Sequence, residues 1–357
     1  MGSAGPARYG GAAAASGKGE RMRVARLHAV GDLRITEVPV PAPEPGMSLV
    51  RVTAVGICGS DLHWWGEAGI GDATLTHPLI LGHEAAGVIV EGPRKGERVA
   101  IDPAVPCGAC RSCRDGHRNL CSHTKFAGHA GQDGVMRDFM AWPSELLRSL
   151  PDALTDAEGS LLEPLGVAIH ALDLGHVRLG ASVAVVGCGP IGLLLTAVLR
   201  AAGAGSVAAF DPLPHRLEAA ARSGASTVAD PVRARSLITH RDLADEGVDV
   251  AFEMAGTSEA VQLAMAMVRP GGRVVLGGIP SDDQTTFQAS VARRKGLTIA
   301  MVRRMNEVYP RAINLAAEKR VDLTHLVTHR FPLERASDAF AAAAQRIGLK
   351  VIIEPGT

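Results

Sequence analysis

From Met22 to about Leu150 the apolar positions fall in short β-branched runs, "LRITEVPV", "SLVRVTAVG", "AAGVIVEG" and "ERVAIDP", broken by Gly and Pro. Runs of this length and type predict strands joined by tight turns. After Glu158 the grain changes. Long Ala and Leu stretches alternate with buried strands: "SVAVVG", a helix through Arg200, "SVAAFD", a helix near Arg216 to Ser223, "VDVAFEMAG" and "RVVLGGI". That alternation predicts βαβ units around a parallel sheet. Beyond about Arg304 a helical segment, the run "LVTHRFPL" and a last helix ending in "GLKVIIEP" do not extend it, and can return to the first half of the chain. From Leu179 to Leu199 no residue is charged, which reaches the roughly 20 residues of a membrane helix. Gly187, Gly189, Pro190 and Gly192 interrupt that run, so a strand, a glycine turn and a buried helix are expected instead. No repeat at a solenoid period is visible.

Composition narrows the function classes. A chain of 357 residues exceeds one ordinary core of about 100 to 200 residues, so two domains are expected. Its 37 basic side chains balance 37 acidic ones without a basic block, which argues against a nucleic-acid grip. Aromatics are only 3%, leaving Ala, Val, Leu and Ile to fill the core. Six cysteines are too sparse for a disulfide-stapled secreted domain, and a cytoplasmic protein is expected. Residues 1–21 are rich in Gly, Ala and Ser and lack the apolar stretch of a signal peptide; they are expected to form a disordered extension.

Four of the cysteines are crowded. Cys107, Cys110, Cys113 and Cys121 follow C-x2-C-x2-C-x7-C, a spacing that lets four thiolates wrap one tetrahedral ion, best zinc and otherwise iron. With every position filled by protein, that ion is structural. Only Cys58 and Cys188 remain, and Cys188 lies in a glycine-rich turn. Any second metal site must therefore be poor in sulfur. "GICGSDLHWW" offers Cys58, Ser60, Asp61 and His63, and "LGHEAAG" places His83 beside Glu84. "LLEPLGVAIHA" puts Glu163 in an apolar helix start, where an unpartnered carboxylate is costly. Taken singly, Glu163 can cap its helix, His83 can be a satisfied loop histidine and Cys58 a small core residue.

"VAVVGCGPIG" gives G-x-G-x-x-G at Gly187, Gly189 and Gly192, with Pro190 and Ile191 between the last two, after a strand and at the opening of a helix. Backbone amides there approach a pyrophosphate, and the helix N-terminus adds favourable partial charge. Asp211 ends the next strand, 19 residues beyond Gly192. An acid at that place bonds an adenosine ribose and repels a 2′-phosphate, which favours NAD over NADP; Arg216 nearby complicates the choice.

Together these motifs resemble the medium-chain zinc-dependent alcohol dehydrogenase family, in family order from Met22 to the end. Within it, "CGSDLHWWGEAGIG", "LVTHRFPLERA" and "GLKV" are most similar to sorbitol, xylitol and related polyol dehydrogenases. The resemblance implies an α/β chain: a GroES-like β-rich catalytic domain from residues 22–165 and 305–357, and a Rossmann doubly wound parallel-sheet domain from residues 166–304 that binds NAD. It implies one structural and one catalytic zinc. Cys58, His83 and Glu84 match the catalytic ligands, and Glu163 either completes the shell or holds water and substrate. Ser60 matches the hydroxyl that takes the alcohol proton, His63 the histidine that passes it to solvent, and Asp61 a group that orients a ligand. Arg303 matches an arginine near cofactor and sugar hydroxyls. Arg304 stands where polyol members often have tyrosine, and Gly69 where many have arginine, which turns the expectation away from sorbitol itself. The implied reaction is hydride transfer between NAD and a secondary alcohol of a small polyol or sugar-like molecule, in a homo-dimer or homo-tetramer. Cyclitols, aminocyclitols, sugar acids and amino alcohols such as threonine are alternatives within that chemistry, and an NAD-binding sensor without turnover is the alternative outside it.

Overall fold

The computed structural model describes residues 19–239 and 246–356. Most of the segment expected to be disordered, residues 1–18, lies outside the described residues. Its last residue does not behave as an extension. Arg21 opens strand Arg21–Ala29, is paired with Pro39, and reaches Glu37 at 3.2 Å.

The β-rich half is organised around strand Met47–Gly56, where Val50, Val52, Ala54 and Val55 are all buried. One edge pairs with Glu84–Glu91, which continues to Arg98–Ile101 and Leu147–Ser149. The other edge is shared. Phe139–Pro143 covers Met47 to Arg51, and Lys350–Glu354 takes over at Val55 and Gly56, bringing Val327–Pro332 with it. The C-terminal run thus enters the first sheet two residues before Cys58. This register places Lys350 beside the chemistry described below.

Among the described residues the second sheet has six strands, all parallel, in the order Thr227–Ala229, Ser206–Phe210, Ser182–Val186, Val248–Glu253, Val268–Leu276 and Thr298–Met301. The order reverses between Ser182–Val186 and Val248–Glu253, and a crevice opens there at the carboxyl ends of the strands. The uncharged run from Leu179 is strand Ser182–Val186, a turn, and helix Pro190–Ala201, whose Leu193, Leu194, Leu195 and Val198 are buried. Among the described residues no helix is long and apolar enough to cross a membrane.

Helix Leu162–Gly175 joins the halves. Leu162, Leu165 and Ile169 lie in one apolar core with Leu193 and Ala312, and a Cβ at Gly175 would come within 2.5 Å of Phe252. The boundary expected at residues 165/166 falls inside this single helix.

Candidate active site

The cysteine lobe is a short loop around helix Arg111–Arg114. Its four sulfurs lie within 4.8 Å of one another, with Cys110 and Cys113 at 3.5 Å. Thiolates about 2.3 Å from a tetrahedral ion stand about 3.8 Å apart, so the lobe fits zinc. Backbone amides already point at the sulfurs: Cys107 donates to Cys121 and Cys110 to Cys107, each at 3.3 Å. Burial opposes ionisation of Cys121, yet the amides of Cys107 and His123 bring its thiol down to about 6. Burial and the neighbouring sulfurs push Cys113 up to about 12. Crowded thiols of this kind give up their protons to a cation.

The second cluster is assembled from distant parts of the chain. Cys58 precedes helix Gly59–Glu67, and His83 and Glu84 open strand Glu84–Glu91; their ligand atoms lie within 4.8 Å of one another. Asp61 ties the two segments together. It is fully buried, accepts the Cys58 and Gly82 amides at 3.0 Å each, and faces His83 Nδ1 at 3.6 Å. That leaves Nε2 of His83 for an ion, the arrangement in which a carboxylate orients a histidine ligand. Burial disfavours a charged imidazole, but Asp61 and Cys58 outweigh it and hold His83 well above its ordinary pKa. The pocket is electron-rich and draws a positive charge.

Glu84 is met from behind by Lys350, an ion pair in which both side chains are 1% exposed. Lys350 also donates to the Ile57 carbonyl at 2.9 Å, one residue before Cys58. Burial lowers and Glu84 raises the lysine pKa, and the net shift is upward, so it stays charged. Position 56 admits no side chain, because a Cβ would fall 2.1 Å from Glu84 Oε2. The other carboxylate oxygen, Oε1, has no hydrogen-bond partner among the described residues and fits a metal ligand.

Glu163 begins helix Leu162–Gly175 and is buried, but it is not part of the close cluster. Burial first, then Glu84 and Asp102, push its carboxyl up to about 7 against the pull of His83 and Lys350. It lines a cavity of about 50 Å³ with Asp102, Phe126, Arg304 and Tyr309. Ser60 is half-buried on the helix that carries Asp61, and His63 one turn later bonds Glu67 at 3.2 Å, toward the surface. Arg303 is exposed.

At the glycine loop, Gly187 has φ +99°, and a Cβ there would strike Ala255 N at 2.7 Å; a Cβ at Gly192 would strike Gly187 O at 1.9 Å. Above Gly189, by contrast, the nearest atom is Arg216 Nη1 at 3.9 Å. Helix Pro190–Ala201 has no side-chain cap, so its first-turn amides face this open space. A dinucleotide pyrophosphate fits there. Asp211 accepts the Cys188 and Leu213 amides at 2.8 and 2.9 Å, one on each oxygen, which leaves a further acceptor site on each. Arg216 Nη1 turns to Asp211 at 3.8 Å.

Sequence reasoning missed Lys350, Asn119, Phe126 and His129. Lys350 had a readable signal, a single charge inside the apolar run "LKVII", which by the same cost argument used for Glu163 demands a buried partner. The other three had none.

Residues 44–152 match the family model described as the alcohol dehydrogenase GroES-like domain, and residues 190–318 the one described as zinc-binding dehydrogenase. Sorbitol dehydrogenase of Bacillus subtilis (strain 168) is 36% identical over 94% of this chain and 98% of its own length. A protein described as a zinc-binding dehydrogenase from Sinorhizobium meliloti 1021, bound to NADP, superimposes with a TM-score of 0.87 at 29% identity, covering 94% and 100% of the two chains. Galactitol-1-phosphate dehydrogenase from Escherichia coli does so with a TM-score of 0.84 at 25% identity, covering 93% and 100%. Likeness of this extent spans both sheets and both clusters, and the chain belongs to the zinc-binding alcohol dehydrogenase family.

Proposed function

We propose that the protein oxidises a secondary alcohol of a polyol or sugar-like molecule to the ketone with NAD, and runs the reverse reduction. The observation that carries this reading is the buried convergence of Cys58, His83 and Glu84, from separate segments, within 4.8 Å. Zinc held there would supply polarisation of an alcohol oxygen, making its proton easier to lose, and NAD would supply the acceptor for the carbinol hydride as the ketone forms. Cys58, His83 and Glu84 hold the metal, with Asp61 fixing the first two. Glu163 orients a water or a substrate hydroxyl. Ser60 accepts the alcohol proton and His63 passes it toward Glu67 and solvent. The four cysteines of the lobe hold a second, structural zinc.

Cofactor contacts fall to the loop from Gly187 to Gly192, through Gly189, Pro190 and Ile191, and to Asp211 and Arg216, with Arg303 standing between cofactor and sugar hydroxyls. The Asp211 carboxylate at the end of its strand supports a preference for NAD, since it repels a 2′-phosphate, and Arg216 Nη1 at 3.8 Å offsets only part of that charge. Residues 22–165 and 305–357 form the catalytic unit, and residues 166–304 the cofactor unit. A homo-dimer or homo-tetramer is supported by edge strand Thr298–Met301, whose Ile299 and Met301 are 37% and 65% exposed. Five of the six cysteines fall in the two metal clusters rather than in disulfides, which supports a cytoplasmic setting.

The test is a screen of polyols, cyclitols and amino alcohols, with NAD and with NADP, following the reduced cofactor by absorbance and zinc by elemental analysis. Turnover of polyols with NAD and two zinc ions per chain is expected. One ion per chain with no turnover of any alcohol would refute the reading.

A further inference from the structure

The segment that leaves the last parallel strand brings two adjacent guanidinium groups to the substrate side of the metal cluster. The Val302 amide donates to Leu276 at 2.8 Å, and Arg303 and Arg304 follow. Asn119, from the cysteine lobe, fastens both. Its side-chain amide donates to the Arg303 carbonyl at 2.9 Å, and its own carbonyl accepts from Arg304 Nη2 at 3.0 Å. Arg304 lies over the Phe126 ring at 4.8 Å, and Phe126 lies against the His83 ring at 5.2 Å between centroids. These contacts keep the guanidinium within 10.0 Å of a metal-ligand imidazole, a gap that a sugar-length chain bridges. His129, whose amide donates to Phe126 and whose ring meets Trp64 edge-on, closes the same wall.

Glu163 and Asp102 act on Arg304 through space, but no acid among the described residues meets the guanidinium groups of that wall directly. Among the described residues no carboxylate is hydrogen-bonded or ion-paired to Arg303 or Arg304, and Arg304 Nε is buried with no partner. The acids in reach are placed otherwise. Asp102 is paired with Arg148 at 3.1 Å, and Glu163 shares the cavity but makes no hydrogen bond to Arg304. Burial, and then Arg303 and Arg304, push His129 below its ordinary pKa, with exposed Asp72 pulling the other way. Burial and the adjacent Arg303 bring Arg304 itself down to about 10, against the opposing pull of Glu163, Asp102 and Cys121, so it remains charged at neutral pH.

We infer that the physiological substrate is an anionic polyol, a sugar-length chain ending in a carboxylate or a phosphate, with its anionic end held by Arg303 and Arg304 and its carbinol at the Cys58, His83 and Glu84 cluster. This rests on the dehydrogenase reading above. A fork of guanidinium donors recognises either anion, and a neutral polyol offers neither guanidinium a countercharge at hydrogen-bond distance.

The experiment compares a neutral pentitol and hexitol with the matching aldonates and polyol monophosphates, at saturating NAD, together with calorimetric binding of each anion. One anionic class should exceed the neutral polyols in kcat/KM by about tenfold or more, with the advantage shrinking as salt rises. Whether aldonate or phosphate leads identifies the source of the charge. Arg304→Tyr and Arg303→Gln should each lower the anionic-to-neutral ratio by about tenfold. Arg304→Lys, which keeps the charge, should retain most of it and controls for folding. Equal or better use of neutral polyols overturns the inference and leaves the dehydrogenase reading intact. So does an unchanged ratio in the variants with a higher KM for NAD, which would assign the charge to the cofactor. Should no alcohol be turned over at all, the dehydrogenase reading fails, and anion binding that disappears in Arg304→Tyr still supports the charged wall.

Discussion

Cys107, Cys110, Cys113 and Cys121 lie in one surface loop and offer four like ligands, whereas Cys58, His83 and Glu84 are drawn together from two segments and braced by Asp61 and Lys350. The lobe closes short loops and needs little from the rest of the fold. The buried cluster exists only when helix Gly59–Glu67, strand Glu84–Glu91 and strand Lys350–Glu354 are in register. Its charges are therefore stability terms as well as ligands. The contrast teaches where each kind of damage should appear: in the lobe as lost stability, and in the buried cluster as lost chemistry when a ligand goes and as lost stability when a countercharge goes.

Exchanging one sulfur in each site tests this most severely. Cys58→Ser should remove one zinc per chain and lower kcat/KM by about three orders of magnitude, with a melting curve close to that of the parent. Cys113→Ser should also remove one zinc, but should lower the melting temperature and keep activity within about tenfold, because the lobe touches the substrate wall only through Asn119 and its neighbours. Matching profiles for the two variants would erase the distinction. Lys350→Met strands Glu84 in the interior, and chemical denaturation of the zinc-free protein should show a loss of about 3 to 5 kcal/mol. Zinc should restore part of it by taking over the carboxylate; no recovery would detach Glu84 from the metal. The smallest effect concerns pH. Glu163 titrates at about 7 in the folded chain against an ordinary 4.5, so the folded state keeps a proton that the unfolded chain has already lost. Stability of the zinc-free protein should fall as pH rises from about 4.5 to 7, by up to about 3 kcal/mol, and Glu163→Gln should flatten that slope.

Legibility followed the same divide. The lobe is readable because its ligands are neighbours in sequence, and the glycine loop because a strand, three glycines and a helix occur in that order. Glu163 could be singled out from the cost of a carboxylate among apolar residues. What the sequence withheld was convergence. Nothing local announces that Asn119 of the lobe clasps Arg303 and Arg304, or that Phe126 lies between Arg304 and His83, since those contacts exist only once both sheets have docked. The alternation of strands and helices located the parallel sheet, but helix Leu162–Gly175 runs through the expected domain boundary. A helix buried in one core that draws on residues of both halves carries no punctuation at the point where one domain gives way to the other.

The salt link between Lys350 and Glu84 has a bearing on biosynthesis. The loop ending at Cys121 can capture its ion as soon as that residue has emerged from the ribosome. The buried ion pair, by contrast, joins residues at opposite ends of the chain, and it can form only once Lys350 has been made and its strand has docked. Glu84 and Lys350 are therefore neutralised by one another only in a chain whose two ends have met.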